Sequence, residues 1–392
     1  MRVDVEGGGS EIASAAGAAA GARLVAIWGT KGAPGQAQAR FFDGTTWRGQ
    51  VDLGAFTDRI PLQIVSDGVH RAFAQWGGPD DGRRAIADLV EESVAPPTSF
   101  SAQSVTDGIR PSDLIGTAEG GAISAFREGG RAKSASWDAD AGTWEPGSLD
   151  VVSTAGVELA RNASGHVVAM TKTTPGPNQA PSLLITLFDG TSWSTPATMP
   201  FPPPPSPPMR NFRIALAPDD TALLVWVAPP VMYAAKVTPT AAPGAQFGTP
   251  VAIATAPAGR FLVAQDLVMD SAGRATLAWI ETAPSEGTAV VTRYLNGAFS
   301  PSQTLGDASA VRVDLDPSSN VVALTSSRRN ALSLHRTTAA SSTWTSVDTG
   351  ITASNDRLHF REQTAVLFPS GGGVSLIFSK PGGGGVYHAH CD

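Results

Sequence analysis

The chain has 392 residues, 42 of them glycine and 30 proline, with 42% hydrophobic and 16% charged residues and a net charge of −7. That apolar content excludes a disordered chain, and so many turn-formers beside it predict short buried strands joined by tight turns. The acidic balance excludes nucleic acid as a partner, which would need a basic face, and the single cysteine, Cys391, excludes an intramolecular disulfide framework.

One grammar recurs along the chain: apolar strand, tight turn, second strand ending in a large residue, loop, third strand, second tight turn, fourth strand. In chain order the first-to-second-strand turn reads AAAGARLVAIW, SDGVHRAFAQW, AEGGAISAFR, NASGHVVAMT, APDDTALLVW, DSAGRATLAW, PSSNVVALTS and PSGGGVSLIFS. The second strands end at Trp28, Trp76, Arg127, Thr171, Trp226, Trp279, Ser326 and Ser379, spaced 44 to 55 residues apart, one four-stranded unit each. The third-to-fourth-strand turn reads FFDGTTW, SWDADAGTW, LFDGTSW and YLNGAF. Asn296-Gly297 predicts a two-residue hairpin, because both residues tolerate positive φ.

All nine tryptophans fall on repeat positions, either closing second strands or flanking the second turn. The proline run at 200–208 reads as a stiff connector between two repeats. The last copy stops after three strands, and the alternating residues at the N-terminus are expected to supply the missing outer strand and close the ring. The expectation is an all-β chain: a β-propeller of eight, alternatively seven, four-stranded antiparallel blades, with residues 1–392 as a single domain. No segment approaches a membrane span, and the Ala-rich N-terminal stretch lacks the pattern of a signal peptide.

Function is expected on the face where second-to-third and fourth-to-first connections emerge, since these loops are long and unlike one another. Arg59, Arg110, Arg210 and Arg361 lie at the starts of first strands and form a candidate anion-binding ring; planar guanidinium forks suit carboxylates. The other reading pairs such loop arginines with Asp58, Asp113 and Glu362. Trp28, Trp76, Trp226 and Trp279 are candidates for stacking on sugar rings, or else they are packing residues.

Glu158, Asp266 and Glu362 are the carboxylates an enzyme of this design would use. Asp138 and Asp140 hint at a calcium loop, and His388 and His390 at a metal pair, each without a third ligand; no metal and no cofactor is assigned. Asn162-Ala163-Ser164 fits a glycosylation acceptor and also a turn, and the turn is preferred.

The recurring FDGTTW, FDGTSW and YLNGAFS segments after Gly-containing hairpins resemble bacterial extracellular β-propeller repeats, in the company of sialidase-like and lectin-like propellers. That resemblance implies a secreted, cell-surface or periplasmic setting and an arginine cluster for a carboxylate near the axis. The functional expectation is a non-enzymatic propeller binding a glycan or a protein surface on its loop-rich face. A glycoside hydrolase or lyase with a central arginine-lined site, and a structural interaction module, are the alternatives.

Overall fold

The computed structural model describes residues 3–4, 12–20, 23–30, 35–57, 62–67, 71–77, 82–88, 101–104, 110–117, 121–138, 140–173, 182–200, 209–242, 244–283, 287–327, 331–352, 364–367, 373–379 and 386–391. Every element among them is a strand or a turn. Among the described residues no helix is long and apolar enough to cross a membrane.

Six sheets are meanders of four consecutive antiparallel strands. The first holds β2 (Ile12–Ala20), β3 (Arg23–Thr30), β4 (Gly35–Phe42) and β5 (Val51–Phe56), after β1 (Val3–Asp4). The second holds β6 (Gln63–Ser66), β7 (Arg71–Gly77), β8 (Gly82–Asp88) and β9 (Ser101–Ser104). The third holds β10 (Arg110–Gly116), β11 (Ala122–Glu128), β12 (Arg131–Asp138) and β13 (Thr143–Val152). The fourth holds β14 (Val157–Arg161), β15 (Val167–Thr173), β16 (Ser182–Phe188) and β17 (Ala197–Pro200). The fifth holds β18 (Arg210–Leu216), β19 (Ala222–Ala228), β20 (Val231–Val237) and β21 (Val251–Thr255).

Next along the chain come β22 (Phe261–Met269), β23 (Ala275–Thr282), β24 (Gly287–Leu295), β25 (Ala298–Phe299) and β26 (Gln303–Asp307), which make a five-stranded sheet. The sixth regular meander is β27 (Ala310–Leu315), β28 (Val321–Ser326), β29 (Ala331–Thr337) and β30 (Thr345–Thr352). The last sheet combines β31 (Thr364–Leu367), β32 (Val374–Ser379) and β33 (Val386–Cys391) with β1, which lies antiparallel to β33.

The architecture is an all-β propeller, and its regular four-stranded blades number six, which corrects the expectation of eight or seven equivalent blades. Two sheets differ from the four-strand meander in their outer strands. In the five-stranded sheet the outer edge is divided into β25 and β26, both paired to β24, with β25 in the place of the single bridges Phe42–Trp47 and Phe188–Trp193 of other sheets. A bulge at Ala289/Val290 faces Gly306, whose φ of 129° favours glycine. The other sheet is assembled from both chain ends, with β1 supplying the outer strand beside β33 as the sequence led one to expect.

The chain divides into two compact units, Met1–Val151 with Ala353–Asp392, and Val152–Thr352. In both, second strands are buried almost throughout, because neighbouring sheets cover both faces. Trp28, Trp76, Trp226 and Trp279 are 0–4% exposed. Each joins a cluster with the sheet beside it: Trp76 with Ala18 and Ile27 of the first sheet, Trp226 with Met170 and Ile185 of the fourth, Trp279 with Val227 and Met232 of the fifth. Trp28 packs with Ile377 and Val386 of the terminal sheet. Truncating such a side chain costs about 3–5 kcal/mol.

The recurring Asp-Gly turns repeat in geometry as in sequence. Asp43 Oδ1 accepts the N–H groups of Thr45 and Thr46 at 2.8 Å each and the Thr45 hydroxyl at 2.7 Å. Asp189 does the same with Thr191 and Ser192. These donors hold Asp43 far below the usual carboxylate range and bring Asp189 down to about 2. Asn296 and Gly297 have φ of 52° and 84°, the hairpin their sequence predicts.

Candidate functional site

In the second unit the first strands of successive sheets lie beside one another, β14 by β18, β18 by β22 and β22 by β27. Each carries a charged residue at one shared address, defined by its partner on the second strand. Glu158 lies opposite Met170, Arg213 opposite Val225, Asp266 opposite Ala278 and Arg312 opposite Leu324. Those partners immediately precede Thr171, Trp226, Trp279 and Thr325. Charge therefore alternates in sign from strand to strand.

The row is tied laterally. Glu158 Oε1 accepts the N–H of Ile214 at 3.3 Å, and its Oε2 lies 3.5 Å from Arg213 Nη1. Arg213 reaches on to the next strand, its Nε donating to Gln265 O at 2.8 Å and its Nη1 to Phe212 O at 2.7 Å. Asp266 accepts Leu267 N–H on Oδ1 at 3.1 Å and Val313 N–H on Oδ2 at 3.0 Å. Arg312 Nη2 stands 3.8 Å from Asp314 Oδ2. Two bulges aim these side chains: the register shifts between Arg210 and Arg213, where Asn211 has φ of 53°, and between Ala264 and Asp266.

The side chains of Glu158, Arg213 and Arg312 are 30%, 21% and 27% exposed, so solvent reaches them, whereas Asp266 is buried. Carboxylates accept and guanidinium groups donate, so the row offers both kinds of hydrogen bond from rigid backbone. At the start of β22, five residues before Asp266, Phe261 is 54% exposed, an aromatic face open to solvent. Its neighbour Arg260 donates from Nη1 to Thr288 Oγ1 at 3.2 Å.

The first unit fills the same address differently. Gln63 lies opposite Gln75 and Asp113 opposite Ala125. Ser124 Oγ donates to Gln75 Oε1 at 2.7 Å, Gln75 Nε2 to Gln63 Oε1 at 2.5 Å, and Gln63 Nε2 to Asp113 Oδ1 at 3.1 Å. Gln75 and Ser124 are fully buried.

Of the arginines expected from sequence, Arg59 and Arg361 lie outside the described residues, as do Asp58 and Glu362 and the proline run from 201 to 208. Arg110 opens β10 opposite Arg127, and Arg210 opens β18 with an exposed side chain. Glu158 and Asp266, expected as carboxylates, do stand on first strands, joined there by Arg213 and Arg312, which the sequence reading passed over.

The strand-end tryptophans have no ring face to offer a sugar, for burial turns them into the contacts between sheets. Trp28 Nε1 donates to Gln38 Oε1 at 2.9 Å and Trp76 Nε1 to Ala55 O at 3.0 Å. Trp226 stacks on Tyr233 with centroids 5.8 Å apart.

Other polar residues are held by their own turns and strands. Asp138 Oδ1 accepts the N–H groups of Asp140 and Ala141 at 2.8 and 2.9 Å, making a turn of the suggested calcium loop. Asn162 Oδ1 accepts from Ser164 and His166, and its amide donates to Ala217 O and Asp220, so its side chain is built into a turn. His388 and His390 both face the Ser375 hydroxyl at 3.1 Å. Among the described residues no group of three or more His, Cys, Asp or Glu is placed to hold a metal. His335 is buried between the Thr325 and Ser346 hydroxyls, and desolvation lowers its pKa to about 4.

No family model matches the chain, and no curated protein matches it in sequence. Solved structures do match in fold. An ulvan lyase, from a family of polysaccharide lyases, superposes with a TM-score of 0.50 at 10% identity over 84% of this chain and 91% of that one. A protein from Lactobacillus plantarum superposes with a TM-score of 0.52 at 16% identity, covering 83% and 94%. A puromycin hydrolase gives 0.52 at 12% identity over 95% of this chain, which spans 58% of that protein. At these identities the likeness shows the fold alone.

Proposed function

We propose that the charged first-strand row of the second unit, with Phe261 at its loop end, is a binding surface for carbohydrate, acting without covalent chemistry. The supporting observation is the alternation of Glu158, Arg213, Asp266 and Arg312 on four adjacent strands, three of their side chains partly open to solvent. A glycan presents many hydroxyls, each both donor and acceptor, beside apolar C–H faces. A fixed row of donors and acceptors next to an exposed aromatic ring matches both. The same fold carries a polysaccharide lyase in the ulvan lyase, which lends support to a sugar ligand and none to a particular reaction.

The enzymatic reading has less support. Asp266 is buried and engages both oxygens with backbone N–H groups, so it serves to anchor β22 to β27 and is poorly placed to take a proton from a substrate. A secreted or cell-surface setting belongs to this proposal and rests on the sequence resemblance.

The test is a broad glycan array followed by titration calorimetry with wild type and Phe261→Ala. Phe261 is exposed, so its loss leaves the fold intact, and the expected result is binding to at least one saccharide that weakens about 10-fold in the variant. Equal binding by both proteins places the ligand elsewhere and refutes the proposed surface.

A further inference from the structure

From the way the row neutralises itself, we infer that its ligand is an uncharged, polyhydroxylated glycan and not a polyanion; this rests on the carbohydrate reading above. Glu158, Arg213, Asp266 and Arg312 sum to zero formal charge, and Asp314 beside Arg312 adds a further carboxylate. The guanidinium of Arg213 is committed on several sides, to Glu158, Gln265 O and Phe212 O. A sulfate or uronate brought to this row would have to displace those contacts while approaching Glu158 and Asp314, both of like charge. The chain as a whole, at −7, also repels polyanions at long range.

A neutral sugar meets no such opposition. Its hydroxyls can donate to the part-exposed carboxylates of Glu158 and Asp314 and accept from the part-exposed guanidinium of Arg312, at positions fixed by strand backbone. Phe261 stands five residues along β22 from Asp266, about 17 Å at the usual strand rise, so the surface suits an extended oligosaccharide better than a single ring. The positive charge at the loop end comes from exposed Arg210, opposite Val227, and from Arg260, beside Phe261, at the starts of β18 and β22. It is the feature on which a polyanion would depend, so the experiment includes it.

The probes are neutral tetrasaccharides of glucose, mannose and galactose, and two polyanions, heparin and oligogalacturonate. They are titrated into the full chain, its Phe261→Ala and Arg210→Ala variants, and Val347→Ser, a control on exposed outer strand β30. The expected result is a neutral oligosaccharide bound with an affinity that changes less than about 2-fold between about 50 and 300 mM NaCl. Phe261→Ala should weaken it about 10-fold, with Arg210→Ala and Val347→Ser near wild type. Binding of heparin or oligogalacturonate alone, falling steeply with salt and lost in Arg210→Ala, overturns the inference and leaves carbohydrate binding standing. Binding of no saccharide of either class overturns the carbohydrate reading itself.

Discussion

At the shared first-strand address the first unit carries Gln63 and Asp113, and the second carries Glu158, Arg213, Asp266 and Arg312. In the first, a hydroxyl and two amides donate in sequence from buried Ser124 and Gln75 out to Gln63 and on to the carboxylate of Asp113. In the second, the groups are ionic, and three of the four remain partly open. Both rows are half-buried at this address, but in one unit Gln63 and Asp113 are tied back to buried second-strand residues, whereas in the other the charges are bonded from one first strand to the next. An amide network rooted in the interior fixes structure, whereas a row of alternating charge at the same depth sets a pattern of acceptors and donors across adjacent strands.

The largest effect that would sharpen this contrast is at Asp266, the one buried member of the charged row. Asp266→Ala leaves the buried N–H groups of Leu267 and Val313 without their carboxylate and should cost about 3 kcal/mol in urea unfolding; Asp266→Asn, keeping one acceptor, should cost about half that. A loss below about 0.5 kcal/mol would mean that Asp266 is not the anchor that joins β22 to β27.

Acidity should act on the second unit through His335. Its folded pKa of about 4 lies below the value of 6.5 for a free histidine, so the unfolded chain binds the extra proton first. The associated stability is present above pH 6.5 and lost as pH falls towards 4, by about 2–3 kcal/mol. His335→Gln should flatten that part of the pH profile measured by chemical unfolding, and an unchanged profile would remove His335 as its cause.

In the first unit, Ser124→Ala takes the donor from Gln75 Oε1 inside the amide network, with an expected cost of about 1–2 kcal/mol in the same unfolding assay. It should leave saccharide binding unchanged, and a binding loss comparable to that of Phe261→Ala would erase the distinction between the two rows.

The smallest expected difference is between two tryptophans. Trp76 Nε1 donates to Ala55 O, while the buried Trp279 Nε1 has no acceptor among the described residues. Trp76→Phe should therefore cost about 1 kcal/mol more than Trp279→Phe. Equal costs by thermal unfolding would show that the hydrogen bond of Trp76 adds nothing.

Much of the scaffold was legible because its signals are local. Asp43 and Asp189 sit in the same short phrase and make the same bonds, and Asn296-Gly297 announces its own turn. The tryptophans marked second strands correctly, yet sequence alone leaves a strand-end indole open to either packing or ligand stacking; only the neighbouring sheet decides, as Val227 and Met232 do for Trp279. The repeat count misled because eight similar second strands suggest eight equal blades, whereas one sheet has a divided outer edge and another draws on both chain ends.

The site was half legible for a related reason. Glu158 and Asp266 precede apolar residues in their strands and stood out as carboxylates. Arg213 was hidden behind Arg210, because the bulge between them, with Asn211 at positive φ, changes which arginine occupies the shared address. Lining up the charged-then-apolar pairs Glu158-Leu159, Arg213-Ile214, Asp266-Leu267 and Arg312-Val313 is the signal that would have found the row.

The most direct test of the account is a crystal structure of the chain with the tightest-binding neutral oligosaccharide. The account predicts a sugar ring over Phe261 and hydroxyls within hydrogen-bond reach of Glu158, Arg312 and Asp314. A ligand seated away from β14, β18, β22 and β27, with the row's own contacts undisturbed, would contradict it.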